Sequence, residues 1–329
     1  MKILVTGGAG FIGSNLVDRL IENGDEVYVL DNLSTGLKSN VNPKVKRFIN
    51  PSDFTSITME DALDILISHV DQVYHLAASV GYFNILQDPL KHFNNNVSMV
   101  ELVARSCFKY KKKMLFTSSS EVYGYTADDC KEYCNLSISY HTPETPKDSY
   151  AISKWVGEFI VRDIIKDGNF VITRLFNTSG KRQRPDFGMV IPRFINQVIT
   201  DKNVTVFVKE GTYTRRSFCH VDDTINILMC LMNSEVTSGE IYNVGSVYNT
   251  TTIATLAEKI IDCLCDRVEY TGKIEECSYC VGYNLKNFTD VFDRVPNNRK
   301  LIEVFNWEPQ IPLEQIIMDN YNWQMMGIK

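Results

Sequence analysis

The first half of the chain alternates short β-branched runs with longer stretches of helical period. Runs at 2–6, 26–30, 45–49, 72–75, 113–117 and 170–174 are nearly continuous in apolar residues, as strands buried on both faces must be. Between them, 11–23, 89–110 and 150–166 place apolar residues at the helical period, and Gly24 follows the first as a C-cap. This alternation predicts a doubly wound α/β fold, a parallel sheet with crossover helices on its faces. Past Asn177 the pattern loosens. Prolines at 185 and 192, then a polar stretch from 201 to 211, predict a second, smaller lobe. A helix over 221–233 and a strand over 241–244 return to the sheet, and 250–329 reads as helices and loops outside it. The predicted division is therefore 1–176, completed by about 219–246, and a C-terminal lobe of 177–218 with 247–329. Segment 125–148, with Pro143 and Pro146, reads as a loop over the sheet edge, of a length that is usually functional.

Composition narrows the partners. A chain of 329 residues, 44% hydrophobic, can bury a sizeable core as one large unit or two joined lobes. The formal net charge of −6 gives no basic excess for a nucleic-acid partner. No apolar run reaches the roughly 20 residues that span a bilayer, so no membrane partner is expected. Met1–Val5 runs straight into the first strand, so no signal peptide is expected and the cytoplasm is the expected compartment. Nine cysteines, an odd number, read as reduced thiols. Cys263 and Cys265 are spaced too tightly for zinc. Cys277 and Cys280 have no matching pair and no histidine after His220, so no metal is expected.

Candidate chemistry starts at Thr6-Gly7-Gly8-Ala9-Gly10-Phe11-Ile12-Gly13, between the first strand and the first helix. Glycines at 7, 10 and 13 allow a tight turn, close approach of N–H groups to a pyrophosphate, and close packing of helix on strand. Asp31, 18 residues past Gly13 at the end of the second strand, has the spacing of a ribose-binding acid. A carboxylate there repels a 2′-phosphate, which favours NAD over NADP. The sheet is thus expected to be of the Rossmann type. Farther on, Tyr150 and Lys154 stand four residues apart on one helical face, with Asp148 or Ser149 as a possible cap. An ammonium beside the phenol would lower its pKa toward general-base use. Thr117-Ser118-Ser119-Ser120-Glu121 follows a buried strand, so its hydroxyls emerge at the carboxyl end of the sheet, where ligands bind in such folds.

Together these motifs resemble the extended short-chain dehydrogenases of the nucleotide-sugar epimerase/dehydratase family over essentially the whole chain. The residues carrying the resemblance are TGGAGFIG (6–13), DNLSTG (31–36), HLAA (75–78), NNNV (94–97), SSSEVYG (118–124), YAISK (150–154), RLFNTSG (174–180), RRSFCHVDD (215–223) and NVGS (243–246). The resemblance implies a catalytic triad of Ser119, Tyr150 and Lys154, with Glu121 assisting chemistry beyond C4 of the sugar. For NAD it implies Gly7, Gly10, Phe11, Ile12 and Gly13 at the turn, and Asp31 and Asn32 at the ribose with Ser34, Thr35 and Gly36 beside them. Asp53, with Phe54, would meet the adenine, and Leu76, Ala77, Ala78 and Asn96 would lie along the cofactor. For the nucleotide sugar it implies Asn177, Arg216 and Arg294 at the diphosphate and Phe207 near the base, with Ser79, Tyr82, Ser120, Val190 and Arg193 lining the rest. Guanidinium groups suit phosphate oxygens, and the plainer alternative for Arg216 and Arg294 is surface ion pairing.

Two departures touch specificity. Val208-Lys209-Glu210-Gly211 stands where relatives often carry Gly-Asp-Gly, which leaves the nucleotide open, with UDP as the default. Tyr82-Phe83 is less usual and either shapes the sugar pocket or packs under a loop. The run Ser120-Glu121-Val122-Tyr123-Gly124 resembles decarboxylases and dehydratases, although Ser120 occupies the position where dehydratases of deoxythymidine sugars carry Asp. The expected activity is transient oxidation at C4 of an NDP-hexose with a lyase outcome, decarboxylation or dehydration. A 4-epimerase of UDP-glucose or UDP-N-acetylglucosamine is the alternative, and a net ketone reductase stands behind it. The family habit implies a homodimer through the helices starting near Asn95 and Tyr150.

Overall fold

The computed structural model describes residues 1–81, 85, 87–124, 130–133, 147–208, 211–278 and 291–328. Tyr82, Phe83, Lys209, Glu210, Cys280 and most of the loop expected over 125–148 fall outside these.

The strands are β1 (Lys2–Thr6), β2 (Glu26–Leu30), β3 (Arg47–Ile49), β4 (Gln72–His75), β5 (Lys113–Ser119), β6 (Phe170–Leu175) and β7 (Thr178–Ser179). They continue with β8 (Val204–Val208), β9 (Arg215–Ser217), β10 (Cys219–His220), β11 (Glu240–Val244), β12 (Thr250–Thr252), β13 (Ile274–Ser278) and β14 (Asp293–Arg294). The helices are α1 (Phe11–Glu22), α2 (Met59–Ser68), α3 (Pro89–Lys109), α4 (Lys147–Ile164) and α5 (Val190–Ile199). After them come α6 (Val221–Asn233), α7 (Ile253–Leu264), α8 (Arg299–Phe305) and α9 (Leu313–Ile328).

Seven strands form one parallel sheet in the order β11-β6-β5-β4-β1-β2-β3. From β1 the chain first adds β2 and β3 on one side, then β4, β5, β6 and β11 on the other. The direction reverses between β1 and β4, and the crevice above that switch point is where such sheets receive ligands. Alternate residues of each strand feed opposite faces. Ile3 and Val5 join Leu16 and Leu20 of α1 and Leu228 and Met232 of α6 on one side. Leu4 joins Leu63 and Ile67 of α2, Val103 of α3 and Val161 of α4 on the other. Burial on both sides explains why these strands read as continuous apolar runs.

The lobe has its own core, with Phe194 and Ile195 of α5, Leu256 and Ile260 of α7 and Ile316 and Ile317 of α9. Two small sheets frame it, β12-β9-β14 and β8-β13. Here the reading of 250–329 as helices and loops is corrected, because β12, β13 and β14 lie within it. They are short, and Thr250–Thr252, Glu275 and Glu276 lack an apolar pattern, so nothing local marks them as strands. Several boundaries also move. β3 begins at Arg47, β5 runs on to Ser119, and α4 begins at Lys147, which puts Asp148 and Ser149 in its first turn rather than at its cap. Among the described residues no helix is long and apolar enough to cross a membrane.

Candidate active site

The glycine turn is built by backbone contact. Gly7 has φ +75°, and a Cβ there would lie 2.8 Å from the Ala77 nitrogen. One on Gly13 would come within 2.1 Å of the Gly7 carbonyl oxygen. The Asp31 carboxylate braces the same turn, accepting from the N–H of Ala9 at 2.9 Å and of Leu33 at 2.8 Å. Gly36 fits against Ala9, where a Cβ would lie 2.8 Å from the carbonyl carbon, and the Leu37 N–H donates to the Ala9 carbonyl. Helix α1 starts at Gly10 with no side-chain cap and no acidic residue in its first turn. The N–H groups of Phe11 and Ile12 are therefore presented to an incoming anion. A glycine floor under an uncapped helix start suits a dinucleotide pyrophosphate, so these residues fit NAD. Asn32 accepts from the Ser34 N–H, in the turn that also carries Thr35. Asp53 ends a short 3-10 turn (Pro51–Asp53) past β3 and is exposed, and Phe54 beside it packs on the core.

From this turn a chain of hydrogen bonds crosses the sheet. Thr6 Oγ1 accepts from the Ala77 N–H at 3.2 Å and shares a hydrogen bond with His75 Nδ1 at 2.7 Å. The His75 carbonyl accepts from Thr117 Oγ1 at 3.2 Å, and the Thr117 carbonyl accepts from Lys154 Nζ at 2.7 Å. Burial and the nearby Lys154 charge push His75 down to about 3, so its imidazole is neutral. Lys154 is itself buried, which pulls its ammonium down to about 7 against the opposing charge of Glu158. Leu76 and Ala78 flank Ala77 at the end of β4. Asn96 of α3 accepts from the Ser79 N–H at 2.6 Å and donates to Ser153 Oγ of α4 at 3.1 Å.

Tyr150 stands one turn before Lys154 on α4, with Ser119, at the end of β5, acting on its phenol. Burial raises the phenol pKa, the Glu121 carboxylate raises it further, and Ser119 opposes both. The expectation that Lys154 lowers it is corrected. Nζ lies 5.9 Å from the Tyr150 ring centre and spends its bond on the Thr117 carbonyl. Glu121 is half exposed, with its carboxylate 3.8 Å from the Arg294 guanidinium. Arg294 is 3% exposed and donates to the carbonyls of Ser120 and of Gly124. It is thus buried against the catalytic strand end, which rules out surface pairing for this residue.

The other substrate-side residues form two groups. Arg216 in β9 is the register partner of Arg294 in β14, so the two arginines stand side by side. Arg216 Nη1 donates to the carbonyls of Val291 at 2.9 Å and Phe292 at 3.2 Å. Asn177 Nδ2 donates to the Ser217 carbonyl at 2.9 Å, on the same strand β9. Elsewhere in the lobe, Arg193 of α5 lies 4.7 Å from the Phe207 ring and donates to the Thr205 carbonyl, with Val190 at the start of that helix. The sequence reading gave no individual role to Thr6, His75, Ser118 and Arg174, which it named only within motifs, and left out Glu158. Only the helical spacing of Glu158 from Lys154 could have drawn attention to one of them.

The model for the NAD dependent epimerase/dehydratase family matches residues 3–245. Over 321 residues the chain is 35% identical to UDP-glucuronic acid decarboxylase 6 of Arabidopsis thaliana, covering 96% of this chain and 86% of that protein. It is 32% identical to UDP-glucuronic acid decarboxylase 1 of Xenopus tropicalis, over 95% of this chain and 70% of that one. The UDP-glucose 4-epimerase of Thermotoga maritima, solved with UDP-glucose, superposes over all of both chains with a TM-score of 0.79 at 25% identity. A match of this extent, laid over a turn and a sheet end built in this way, makes the chain a member of the NAD-dependent epimerase/dehydratase family, an enzyme that works with NAD.

Proposed function

We propose that this enzyme transiently oxidises C4 of a UDP-linked sugar acid and releases carbon dioxide from C6, as a UDP-glucuronate decarboxylase. Glu121 carries the reading: it is a half-exposed carboxylate facing Arg294, and its charge acts on Tyr150. Exchange of hydride at C4 needs a base, a hydroxyl and an ammonium, and no further ionisable pair. A second pair beside them supports chemistry at a neighbouring carbon. The decarboxylases above, similar along nearly the whole chain, support the same outcome. Dehydration is less supported, because Ser120 offers no carboxylic acid for a departing C6 hydroxyl. The 4-epimerase alternative draws on the likeness to the Thermotoga maritima enzyme.

When bound, NAD supplies the acceptor for the C4 hydride and gives it back at the end. Gly7, Gly10, Phe11, Ile12 and Gly13 would hold its pyrophosphate, and Asp31 and Asn32 its ribose, with 1–176 and 219–246 as the unit that carries it. Tyr150 takes the proton of the C4 hydroxyl, and Ser119 donates a hydrogen bond to the same oxygen. Lys154, fixed on the Thr117 carbonyl, would grip the cofactor's nicotinamide ribose beside them. A C6 carboxylate next to a C4 ketone is a β-keto acid, which parts readily with carbon dioxide. Arg216, Asn177 and Arg294 would grip the diphosphate and Phe207 the base, from 177–218 and 247–329.

Exposed Trp155 and Phe159 on α4 and Leu90 and Phe108 on α3 support a homodimer through these helices. Sedimentation giving only monomer at micromolar concentration would count against the dimer. Mass spectrometry after incubation with NAD and UDP-glucuronate tests the reaction. A product lighter by one carbon dioxide is expected. An unchanged UDP-glucuronate beside an epimerised UDP-glucose would overturn it in favour of the 4-epimerase.

A further inference from the structure

We propose that Glu158 is a positioning residue of this active site, fixing α4, and Lys154 one turn before it, against the end of β5. The inference rests on the reading of Tyr150 and Lys154 as the catalytic pair.

Lys154 and Glu158 lie one helical turn apart on α4, both 4% exposed. The Glu158 carboxylate accepts from Ser118 Oγ at 2.5 Å. It also takes the two-pronged fork of Arg174, with Nε at 2.9 Å and Nη2 at 2.7 Å. Ser118 sits between Thr117, whose carbonyl receives Lys154 Nζ, and Ser119, the residue that acts on Tyr150. α4 is therefore pinned twice to consecutive residues of β5, by Lys154 at Thr117 and by Glu158 at Ser118. Arg174 is the register partner of Ser118 in β6, so the second pin is anchored in the sheet itself.

An ion pair at this depth is a poor way to gain stability. Apolar side chains of similar volume usually do as well or better, whereas breaking such a pair is strongly destabilising. Its value here lies in direction: a bidentate fork and a hydroxyl leave the carboxylate one orientation. The surroundings are charged as well. Arg174 donates to the Glu132 carbonyl and lies 4.9 Å from the Tyr123 ring, and the Glu132 carboxylate accepts from the Asn243 N–H. Lys154 is faced by neutral His75, by Tyr150 and by Glu158, with Glu121 beyond Tyr150. Glu158 is the carboxylate that opposes the effect of burial on Lys154. Without its charge the ammonium would be lost at lower pH, so the high-pH limb of kcat should move down.

The test uses the NAD-loaded full chain with UDP-glucuronate or, failing turnover, UDP-glucose. For Glu158→Gln, kcat should fall about tenfold with KM within about twofold, and the high-pH limb should shift down by about one unit. Because Gln leaves Arg174 buried without its partner, the double variant Glu158→Met with Arg174→Met is measured beside it; it buries no charge. The double variant should fold and show the same fall in kcat, with a smaller shift of the limb because the Arg174 charge leaves together with that of Glu158. A folded double variant with wild-type kcat would overturn the proposal, as would a Glu158→Gln that loses only thermal stability. Tyr150→Phe separates the two levels. Retained turnover there removes the catalytic reading itself, while a dead Tyr150→Phe beside unaffected Glu158 variants removes only this inference.

Discussion

At the glycine turn, backbone lies against backbone: a single added carbon on Gly13 would sit 2.1 Å from the Gly7 carbonyl oxygen. In the lobe, contact is made by long side chains, with Arg193 against Phe207 and Arg216 reaching the carbonyls of Val291 and Phe292. The first arrangement has no slack, because neither partner can rotate away. The second has several rotatable bonds on one side of every contact. Substitutions at the turn should therefore act as all or nothing, and those in the lobe should be graded. Gly13→Val is the strongest way to break this comparison. It should abolish NAD retention and lower the melting temperature sharply, read by cofactor content of the purified protein and by calorimetry. A soluble Gly13→Val enzyme that keeps NAD would mean the turn relaxes as freely as the lobe.

Tyr150→Phe separates chemistry from scaffold at the same end of the sheet. It removes one oxygen, leaves the ring in place, and touches none of the glycine contacts. Turnover should fall by about a thousandfold while NAD content and melting temperature stay near wild type. A parallel loss of NAD would mean that the phenol belongs to the cofactor's support rather than to the proton transfer.

The contrast also explains what could be read from the chain. The buried strands announce themselves as apolar runs, and the turn is a string of eight neighbouring residues. Tyr150 and Lys154 need only helical spacing. The lobe's small strands are short and polar, and the pairing of Arg216 with Arg294 joins residues far apart in sequence. Nothing local could reveal that Arg294 is buried under Ser120 and Gly124. The pKa of Tyr150 failed for a related reason. Spacing puts an ammonium near the phenol, but only the tertiary fold decides that Nζ goes to the Thr117 carbonyl and that Glu121 acts on the ring instead.

Arg216→Ala probes the graded side. Three backbone carbonyls, of Arg215, Val291 and Phe292, surround its Nη1, and truncation lets water reach them. KM for the nucleotide sugar should rise about tenfold with kcat within about threefold, since a charge-assisted contact to phosphate is worth about 1.5–3 kcal/mol and neighbours share the load. Steady-state kinetics at saturating NAD reads both numbers. A collapse in kcat as severe as that of Tyr150→Phe would erase the distinction between the two regions.

The smallest effect, and the one that sharpens the comparison most, concerns His75, which joins the dinucleotide turn to the catalytic strand. Burial and Lys154 hold its imidazole neutral down to about pH 3. An unfolded histidine takes up its proton near pH 6.5. Below that pH, unfolding binds a proton that the folded chain refuses, so the stability owed to His75 is whole above about 6.5 and is lost progressively as pH falls toward 3. The slope owed to one such proton is at most about 1.4 kcal/mol per pH unit. His75→Asn keeps an acceptor for Thr6 Oγ1 but cannot titrate in this range. Urea unfolding from pH 8 to pH 5 should show nearly equal stability at the alkaline end and a flatter acid limb for the variant. If the limb stays as steep, the acid sensitivity comes from elsewhere in the molecule. The buried chain from Thr6 to Lys154 would then be no more exacting in its demands than the arginine contacts of the lobe.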